Sequence, residues 1–372
     1  ISKCQKNKLG RVKLLSMSAT GVDEHCDVHR ISEADRKIED VNNKIAAIKQ
    51  LRLHEVDRTK INDEISKLAL GYKDKNKRVI IYVRKPEDAE EISRKLEPET
   101  LALLTGTIRG YERDQLVSTP VFKRLCSPET PDSNTSVFLV STSAGEVGAD
   151  SDADHMICDV APIDSMIQRI GRVNRRGGKD RRADIHVVFA EKNHKKDRKG
   201  ALQEACENSL ELLRSLSSNG IIDASPKAIL GWKELPEYKS ACNPQLKCIQ
   251  PHDAVLDAWS MTSDHSSWPL AHAVGKYLHG LQDPEPETYV AWRSELELLW
   301  RARRCPDNST QFNEETMQIL LDEHWLRPSE LVREKPDKVV ELMKKLPEDA
   351  PIVIIGPRLF KLMRLAELLP NG

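Results

Sequence analysis

The stretch that decides the fold is RVIIYVRKPEDAEEISRKL, residues 78–96. Its first seven residues include an apolar run of β-branched and aromatic side chains, which is typical of a buried strand. Pro86 then occupies the first position of a predicted helix, with Glu87 and Asp88 in the first turn, where acidic side chains stabilise the positive end of the helix dipole. We predict that this helix runs to about Leu96. A strand followed at once by a helix indicates one unit of an α/β fold.

Downstream of this unit, short apolar runs alternate with helical or loop stretches. The runs are LALL (101–104), SVFLV (136–140), HMICDV (155–160) and IHVVF (185–189). Such alternation predicts a parallel sheet that is covered by helices on both faces. Beyond residue 192 the alternation ends, and residues 201–220 predict an amphipathic helix closed by Asn219-Gly220. Near the end of the chain, PIVIIG (351–356) is followed by the predicted helix PRLFKLMRLAELL (357–369).

Upstream, residues 31–70 show a different pattern. Apolar residues recur at spacings of three and four, which predicts a helical connector. They are Ile38, Val41, Ile45 and Ile48, and after an interruption Ile61, Ile65 and Leu68. Before them, RVKLLSMSAT (11–20) predicts a buried strand that delivers Ser18 and Thr20 to a sheet edge.

Composition limits the classes of protein that fit. The 372 residues exceed what one hydrophobic core usually organises, so we expect two domains. With 39% hydrophobic and 31% charged residues, the chain fits neither a disordered nor a membrane protein, and we expect a cytoplasmic one. The eight cysteines form no Cys-x-x-Cys pair, which favours reduced thiols. Because the net charge is -1, any contact with nucleic acid requires a local basic patch.

The strongest chemical signal is QRIGRVNR, residues 168–175, on a helix that we predict to begin near Pro162 and to break at Gly177-Gly178. Arg172 and Arg175 lie three residues apart, so on a helix they share a face and can converge on one polyphosphate. That arrangement suits arginine fingers, which stabilise a transferring phosphoryl group. The structural alternative is a basic surface helix without a ligand.

Four segments together resemble the superfamily 2 helicases. SMSAT (16–20), VIIYV (79–83), STSAGEVGAD (141–150) and QRIGRVNRR (168–176) are similar to motifs III, IV, V and VI of that family, in the same order. With LLTGTIRGYERDQL (103–116), the chain most resembles the helicase subunit of type I CRISPR interference systems. That resemblance implies the C-terminal half of an ATP-dependent helicase that translocates on single-stranded DNA in antiviral defence.

The resemblance also implies a domain order. Residues 1–30 would be the C-terminal end of a first RecA-like domain, because the chain is expected to start just before motif III. Residues 31–75 would be the helical connector, and residues 76–192 the second RecA-like domain, a parallel sheet covered by helices. Residues 200–372 would form a mostly helical, truncated accessory region.

Roles carried over from the family fall into four groups. The resemblance implies that Gln168, Arg172 and Arg175 face the ATP phosphates, and that Gly148, Asp150 and Arg169 lie near the nucleotide. It implies contact with DNA for Thr142, and also for Thr105, Thr107 and Arg109, for which a plain polar loop after a strand is the alternative. It implies a coupling role for Ser18, Ala19 and Thr20. Glu146 stands where the family often has an acid, and a structural role is the alternative. No metal ligand is predicted within the chain.

The segment 169–182 adds two candidates from the residues alone. It contains seven Arg or Lys residues and one Asp, enough local positive charge to attract phosphate. Arg181 and Arg182 are the candidates for contact with DNA, because they follow the segment that we expect to face the nucleotide.

Two motifs of an ATPase are absent from the sequence. There is no G-x-x-x-x-G-K-[ST] and no Asp-Glu-x-His before SMSAT, so the phosphate cradle and the Mg²⁺ ligands are expected in an upstream domain. We therefore expect that this chain alone does not hydrolyse ATP. Asp23-Glu24-His25-Cys26 follows SMSAT and is interpreted as a coincidence.

The implied partners are single-stranded DNA, the CRISPR surveillance complex and an HD-type nuclease, and no membrane. His252-Asp253 is followed by His265, His272 and His279, but the dipeptide follows Pro251 and no helix upstream of it offers a first histidine. We therefore expect the nuclease elsewhere in the parent protein or in a separate chain. Two alternatives stay open: a non-enzymatic nucleic-acid-binding module, and a related superfamily 2 motor such as a restriction translocase or an RNA helicase.

Overall fold

The structure is a computed structural model. It describes residues 31–126, 135–146, 151–178, 181–190 and 200–244, together with the shorter stretches 252–253, 288–292, 296, 330–356 and 359–364. The chain forms two compact units, one of residues 1–106 and 116–244 and the other of residues 107–115 and 245–372. The predicted strand at residues 11–20 lies outside the described residues.

A seven-stranded sheet forms the first unit, and six of its strands are parallel. The strands are β1 (Ile48–Val56), β2 (Arg78–Tyr82), β3 (Leu101–Leu104), β4 (Val137–Ser141), β5 (His155–Asp159), β6 (Arg182–Ala190) and β7 (Ile222–Asp223). Their order across the sheet is β3-β4-β2-β5-β6-β1-β7, with β7 antiparallel to β1. This confirms the predicted α/β class with a mostly parallel sheet.

The central strands are buried because helices cover both of their faces. The helices of this unit are α1 (Glu39–Ile45), α2 (Ile61–Leu70), α3 (Pro86–Ser93), α4 (Gly110–Ser118, which includes residues of both units), α5 (Pro120–Cys126), α6 (Ile163–Ile170), α7 (Ala201–Ser215), α8 (Pro226–Trp232) and α9 (Tyr238–Ala241). On one face, Ile65 of α2 and Ile92 of α3 pack with Ile81 and Val140 in a single apolar cluster. On the other face, Met166 of α6 packs on Cys158, with 4.0 Å between the two sulfur atoms.

The prediction of a helix through Ile48 is wrong, because Ile48–Val56 forms strand β1 within the sheet. The sheet therefore includes residues that the predicted boundary at residue 76 leaves in the connector. Polar side chains on β1 pair with β6: Arg52 Nη1 lies 2.6 Å from Asp184 Oδ1, and His54 Nε2 lies 2.9 Å from His186 Nδ1. The helices predicted around Val41 and Ile65 are confirmed as α1 and α2.

The helix that carries QRIGRVNR begins as predicted after Pro162, but it ends at Ile170 instead of continuing to Gly177. Downstream, α7 ends at Ser215, and Asn219 and Gly220 both adopt positive φ values, 52° and 78°, before β7. The compact unit extends to Pro244, beyond the predicted boundary near residue 192.

The second unit contains strands where we predicted mostly helix. It has the strands β8 (Thr288–Val290), β9 (Val332–Glu334), β10 (Pro351–Gly356) and β11 (Leu359–Arg364), and the helix α10 (Pro336–Met343). The predicted helix at residues 357–369 is wrong over Leu359–Arg364, which pairs antiparallel with β10. Gly356-Pro357 at this point is a turn sequence, which favours a hairpin over a helix. Across the described part of the chain, no helix combines the length and the hydropathy that crossing a membrane requires.

Gly177 offers a test of the packing after α6. Its φ is +69°, and a Cβ atom there would lie 1.9 Å from the backbone oxygen of Asn43. We predict that Gly177→Ala lowers the free energy of unfolding by about 2–4 kcal/mol, because a methyl group in this space forces a backbone shift and a left-handed alanine is strained. Chemical denaturation measures the difference.

Gly231→Ala in α8 is the matched control. A Cβ atom at Gly231 meets nothing within 4 Å, and alanine has the higher helix propensity, so this variant should keep or slightly raise stability. Equal stability of the two variants would contradict the close approach of the Asn43 backbone to Gly177.

Candidate functional site

The candidate site lies at the carboxyl edge of the sheet, where the parallel strands end. Thr105 follows β3, Thr142 follows β4, and Asp159 ends β5. Two hydrogen bonds join the first two loops: Thr142 N donates to Leu104 O at 3.2 Å, and Gly106 N donates to Thr142 Oγ1 at 3.3 Å. Open α/β sheets bind their ligands at this edge. The structure thus brings together Thr105 and Thr142, two residues predicted to contact DNA.

The loop after β4 makes a tight turn over the sheet. Residues Ser143–Gly145 form a short 3-10 helix that ends at Glu146. A Cβ atom on Gly145 would lie 2.4 Å from Ser141 Oγ, so only glycine fits there without a shift. The Tyr82 hydroxyl donates to Gly145 O at 3.0 Å, which fixes the loop to β2. Gly148 and Asp150 of the same motif lie outside the described residues, as do Ser18, Ala19 and Thr20.

Arg169 is the central charged group of this site, and it is only 3% exposed. Its Nε donates to Glu146 Oε1 at 2.8 Å, and its Nη1 donates to Asp159 Oδ1 at 3.2 Å. Its guanidinium also lies 5.2 Å from the centre of the Tyr82 ring. Burial by itself lowers the pKa of Arg169, but the carboxylates of Asp159 and Glu146 outweigh burial and raise the pKa above its usual value.

These contacts change the interpretation of two predicted residues. The interpretation of Arg169 as a nucleotide-contacting residue conflicts with the structure, because its guanidinium is enclosed between two carboxylates and an aromatic ring. For Glu146, the structure supports the structural alternative, since its buried carboxylate binds Arg169. The pair joins the loop after β4 to helix α6.

Arg172 and Arg175 do not share a helix face, because both follow the end of α6. Arg172 Nε and Nη2 donate to the backbone oxygen of Glu146, at 3.2 and 2.8 Å. Arg175 has an exposed side chain, and its backbone N donates to Asp152 Oδ1 at 2.7 Å. Gln168, on the last turn of α6, is half-buried. The side chain of Arg172 therefore contacts the loop after β4, whereas the backbone of Arg175 contacts Asp152, which precedes β5.

The turn after α6 is fixed by backbone pairing with the residues before β5. Ala153 N donates to Arg172 O at 2.9 Å, and Asn174 N donates to Ala153 O at 2.8 Å. Asn174 is fully buried with φ +43°, and its Nδ2 donates to Ile48 O and Arg181 O. Asparagine tolerates this left-handed conformation better than most residues, which explains the type of residue at this position.

Arg181 lies at the amino edge of the sheet and is bound to two acids. Its Nη1 lies 2.6 Å from Asp152 Oδ2, and its Nη2 lies 2.9 Å from Asp154 Oδ1. Burial raises the pKa of Asp154, but the hydrogen bond and charge of Arg78 outweigh burial and lower the pKa to about 2. Arg181 thus has a structural contact set, contrary to its predicted role on DNA. Arg182 is exposed, but it begins β6 at the edge opposite to Thr105 and Thr142.

The remaining predicted positions lie outside the first unit or outside the described residues. In the second unit, Thr107 and Arg109 are half-buried, and Arg109 forms an ion pair with Glu112. His252 and Asp253 are exposed, and the three later histidines lie outside the described residues. Among the residues that the structure describes, no group of three His, Cys, Asp or Glu side chains could hold a metal ion.

Sequence reasoning missed two residues of the site, Tyr82 and Asp159. Both lie at the ends of predicted apolar strands, in VIIYV and HMICDV, and a polar group that ends a parallel strand is the signal that could have identified them.

Part of the chain that holds this site matches a known protein family. Residues 27–178 match the family described as "CRISPR-associated nuclease/helicase Cas3, C-terminal". This match covers less than half of the chain, and it makes residues 27–178 similar to the C-terminal region of that family. The match includes the loop after β4, helix α6 and the turn with Arg172 and Arg175. A search of curated proteins gives no match.

Several solved structures are similar to parts of the chain. The T. fusca Cas3-AMPPNP structure is 20% identical over 52% of this chain and 24% of its own, with a TM-score of 0.41. A structure titled "CRISPR-associated protein" is 14% identical over 96% of this chain and 45% of its own, with a TM-score of 0.47. One titled "CRISPR RNA-guided surveillance complex, pre-nicking" is 19% identical over 53% and 27%, with a TM-score of 0.38. The chain spans about a quarter of the T. fusca Cas3 chain.

Arg169 provides the test of how the Cas3-like region is held together. We predict that Arg169→Met lowers the free energy of unfolding by about 3–5 kcal/mol, because Glu146 and Asp159 lose their common partner while they stay buried. Urea denaturation measures this loss.

Arg94→Met is the control, because Arg94 is 77% exposed in its ion pair with Glu90. That exposed pair should contribute less than about 1 kcal/mol. A loss at Arg169 no larger than the loss at Arg94 would show that the buried ion pairs do not stabilise the site.

Proposed function

We propose that this chain is part of an ATP-dependent helicase that translocates on single-stranded DNA in type I CRISPR interference. The observation that supports this proposal is the connection of two motif segments by Arg169 within the Cas3-like region. Helix α6 leads into the turn with Arg172 and Arg175. Arg169 of that helix binds Glu146, in the loop after β4 that also contains Thr142. One buried contact therefore links the residues proposed to bind nucleotide with those proposed to bind DNA.

On the nucleotide side, Arg172, Arg175 and Gln168 would face the phosphates of ATP. A planar guanidinium presents several N–H donors in a geometry that matches phosphate oxygens, which a lysine ammonium does not. Gly148 and Asp150 keep the nucleotide-binding role that the resemblance implies. The bound Mg²⁺ would neutralise charge on the phosphates, and its ligands are expected in the upstream RecA-like domain of the parent protein.

On the DNA side, the loops after β3 and β4 would follow the backbone of a single strand. Thr142 is only 4% exposed, and its hydroxyl accepts a hydrogen bond from Gly106 N. Thr142 would therefore act by holding the exposed Gly106 in place, in addition to any contact of its own with phosphate. Thr107 and Arg109 keep the predicted role of contacting the DNA backbone.

The proposed partners are the surveillance complex and an HD-type nuclease, and the proposed location is the cytoplasm.

Arginine substitutions in the complete protein test the nucleotide assignment. We predict that Arg175→Ala lowers ATP turnover by a factor on the order of 10³ and leaves DNA affinity nearly unchanged, because an arginine finger acts on the transition-state charge. Lysine at this position should not restore the rate. The neighbouring exposed Arg176→Ala is the control and should turn over ATP like the wild type.

Arg172→Ala should lower turnover to a similar extent and should also weaken DNA binding, because Arg172 holds the backbone of Glu146 in the loop after Thr142. Steady-state ATPase rates and DNA titrations on the same preparations separate the two effects. Loss of DNA binding with retained turnover in Arg175→Ala would place this turn on the DNA. DNA binding without any ATP turnover in the wild type would favour the non-enzymatic module.

The path of DNA is tested with a pair of substitutions at Thr142. We predict that Thr142→Val weakens single-strand binding about five- to tenfold, because the lost hydrogen bond to Gly106 contributes on the order of 1 kcal/mol. Thr142→Ser keeps the hydroxyl and should bind like the wild type.

Arg182→Ala tests the opposite edge of the sheet. A phosphate contact would show as a salt slope that falls by about 0.7 on single strands when the arginine is removed. We expect an unchanged slope, because Arg182 lies at the amino edge. A reduced slope together with normal binding by Thr142→Val would move the DNA path to the amino edge.

A further inference from the structure

Lys49 lies outside every motif of the proposed site, yet its side chain reaches the end of helix α6. It is the second residue of β1 and is only 3% exposed. Its Nζ donates to the backbone oxygen of Ile170 at 2.9 Å. Ile170 is the last residue of α6, immediately before the segment with Arg172 and Arg175.

The oxygen of Ile170 needs this donor because the helix stops there. In a continuing α-helix the oxygen of Ile170 would accept from the N–H of Asn174, four residues later. That N–H instead donates to Ala153 O at 2.8 Å. The backbone that follows α6 offers the oxygen of Ile170 a three-residue turn contact, from Val173 N at 3.2 Å. Lys49 supplies the missing donor, and its positive charge is favourable at the negative end of the helix dipole.

We propose that Lys49 is a positioning residue for the two arginines, because it holds α6 to its end at Ile170. This inference rests on the proposed function of Arg172 and Arg175. The competing conformation is a longer helix, which the sequence pattern of residues 162–176 favours and which would place both arginines on one face. By stabilising the early end of the helix, Lys49 lets Arg172 reach Glu146 while Arg175 stays beside Asp152.

The charge of Lys49 depends on its surroundings. Burial lowers the pKa of Lys49 to about 8, the nearby Asp152 opposes this shift, and Arg181 and Arg175 add to it. Lys49 therefore loses its proton as the pH rises through about 8, and the charge at the end of α6 is then lost. A neutral amine is a weaker donor than an ammonium group. ATP turnover is accordingly expected to fall above this pH.

The experiment compares Lys49→Met and Lys49→Arg with the wild type in the complete protein. Methionine fills a similar volume without a donor, whereas arginine keeps the charge at all accessible pH values. Lys67→Met is the matched control, because the side chain of Lys67 is 75% exposed and forms an ion pair with Glu64 three residues away. We measure kcat and KM for ATP between pH 6.5 and about 9.5, a window that brackets the lowered pKa of Lys49.

Lys49→Met should lower kcat about tenfold at neutral pH and change KM for ATP by less than about twofold, the pattern expected when a contact made in the transition state is weakened. The wild type should lose kcat as the pH rises through about 8. Lys49→Arg should restore most of the rate at neutral pH and should not show this loss. Lys67→Met should follow the wild type throughout.

Hydrogen exchange supplies a readout that does not require turnover. Peptides that cover residues 168–176 should exchange faster in Lys49→Met than in the wild type or Lys67→Met, because the turn loses its anchor. If the wild type does not hydrolyse ATP, the proposed function fails, and faster exchange still assigns the end of the helix to Lys49. Wild-type kcat together with unchanged exchange in Lys49→Met would overturn the inference.

Discussion

A guanidinium that is almost fully enclosed in protein must have its charge compensated, and Arg169 meets this requirement at the junction of four elements. Removing such a group from water costs several kcal/mol unless its donors are paired. Glu146 comes from the loop after β4, Asp159 from the end of β5, and Tyr82 from the end of β2. These elements are therefore held in one arrangement by the same charge, and the site inherits its geometry from the core of the domain.

Helix α6 is attached to the sheet at two heights. Arg169 binds residues at the carboxyl edge, and the oxygen of Ile170 binds Lys49, which comes from the amino end of β1. A helix of only eight residues has little stability of its own, so these contacts and the packing of Met166 on Cys158 fix its position. The surroundings of that packing are apolar enough that burial raises the pKa of the Cys158 thiol to about 12. The position of Arg172 thus follows from the sheet.

The strands β2 to β6 could be predicted because strands buried on both faces are nearly continuous apolar runs. Strand β1 could not be predicted in this way, because one of its faces carries the polar residues Arg52 and His54. Their partners on β6, Asp184 and His186, lie more than 120 residues away in the sequence. The spacing of three between Ile45 and Ile48 continues the pattern of the preceding helix and imitates one more helical turn. In the same way, the end of α6 depends on Lys49, whose contact spans 121 residues. Local pattern contains no information about such donors.

The candidate site shows the same division. Thr105, Thr142 and Arg172 come from three of the motif segments, and the structure brings them toward one edge of the sheet. What sequence could not reveal is which cations are already paired. Asn174 in its left-handed conformation also has its reason in tertiary contacts, with Ile48 O and Arg181 O, and not in the motif itself.

The basic segment 169–182 illustrates why counting charges along a sequence overstates a binding patch. Of its seven basic residues, Arg169 and Arg181 are each paired with two carboxylates, so neither adds its full charge to the surface. Of the other described members, Arg172 holds the loop at the carboxyl edge, whereas Arg182 begins a strand at the amino edge. Because exposed charges interact over only about 10 Å at moderate salt, cations on opposite edges of a sheet act separately. The segment is therefore two local sites joined by a turn, and its effect on nucleotide and on DNA has to be assigned residue by residue.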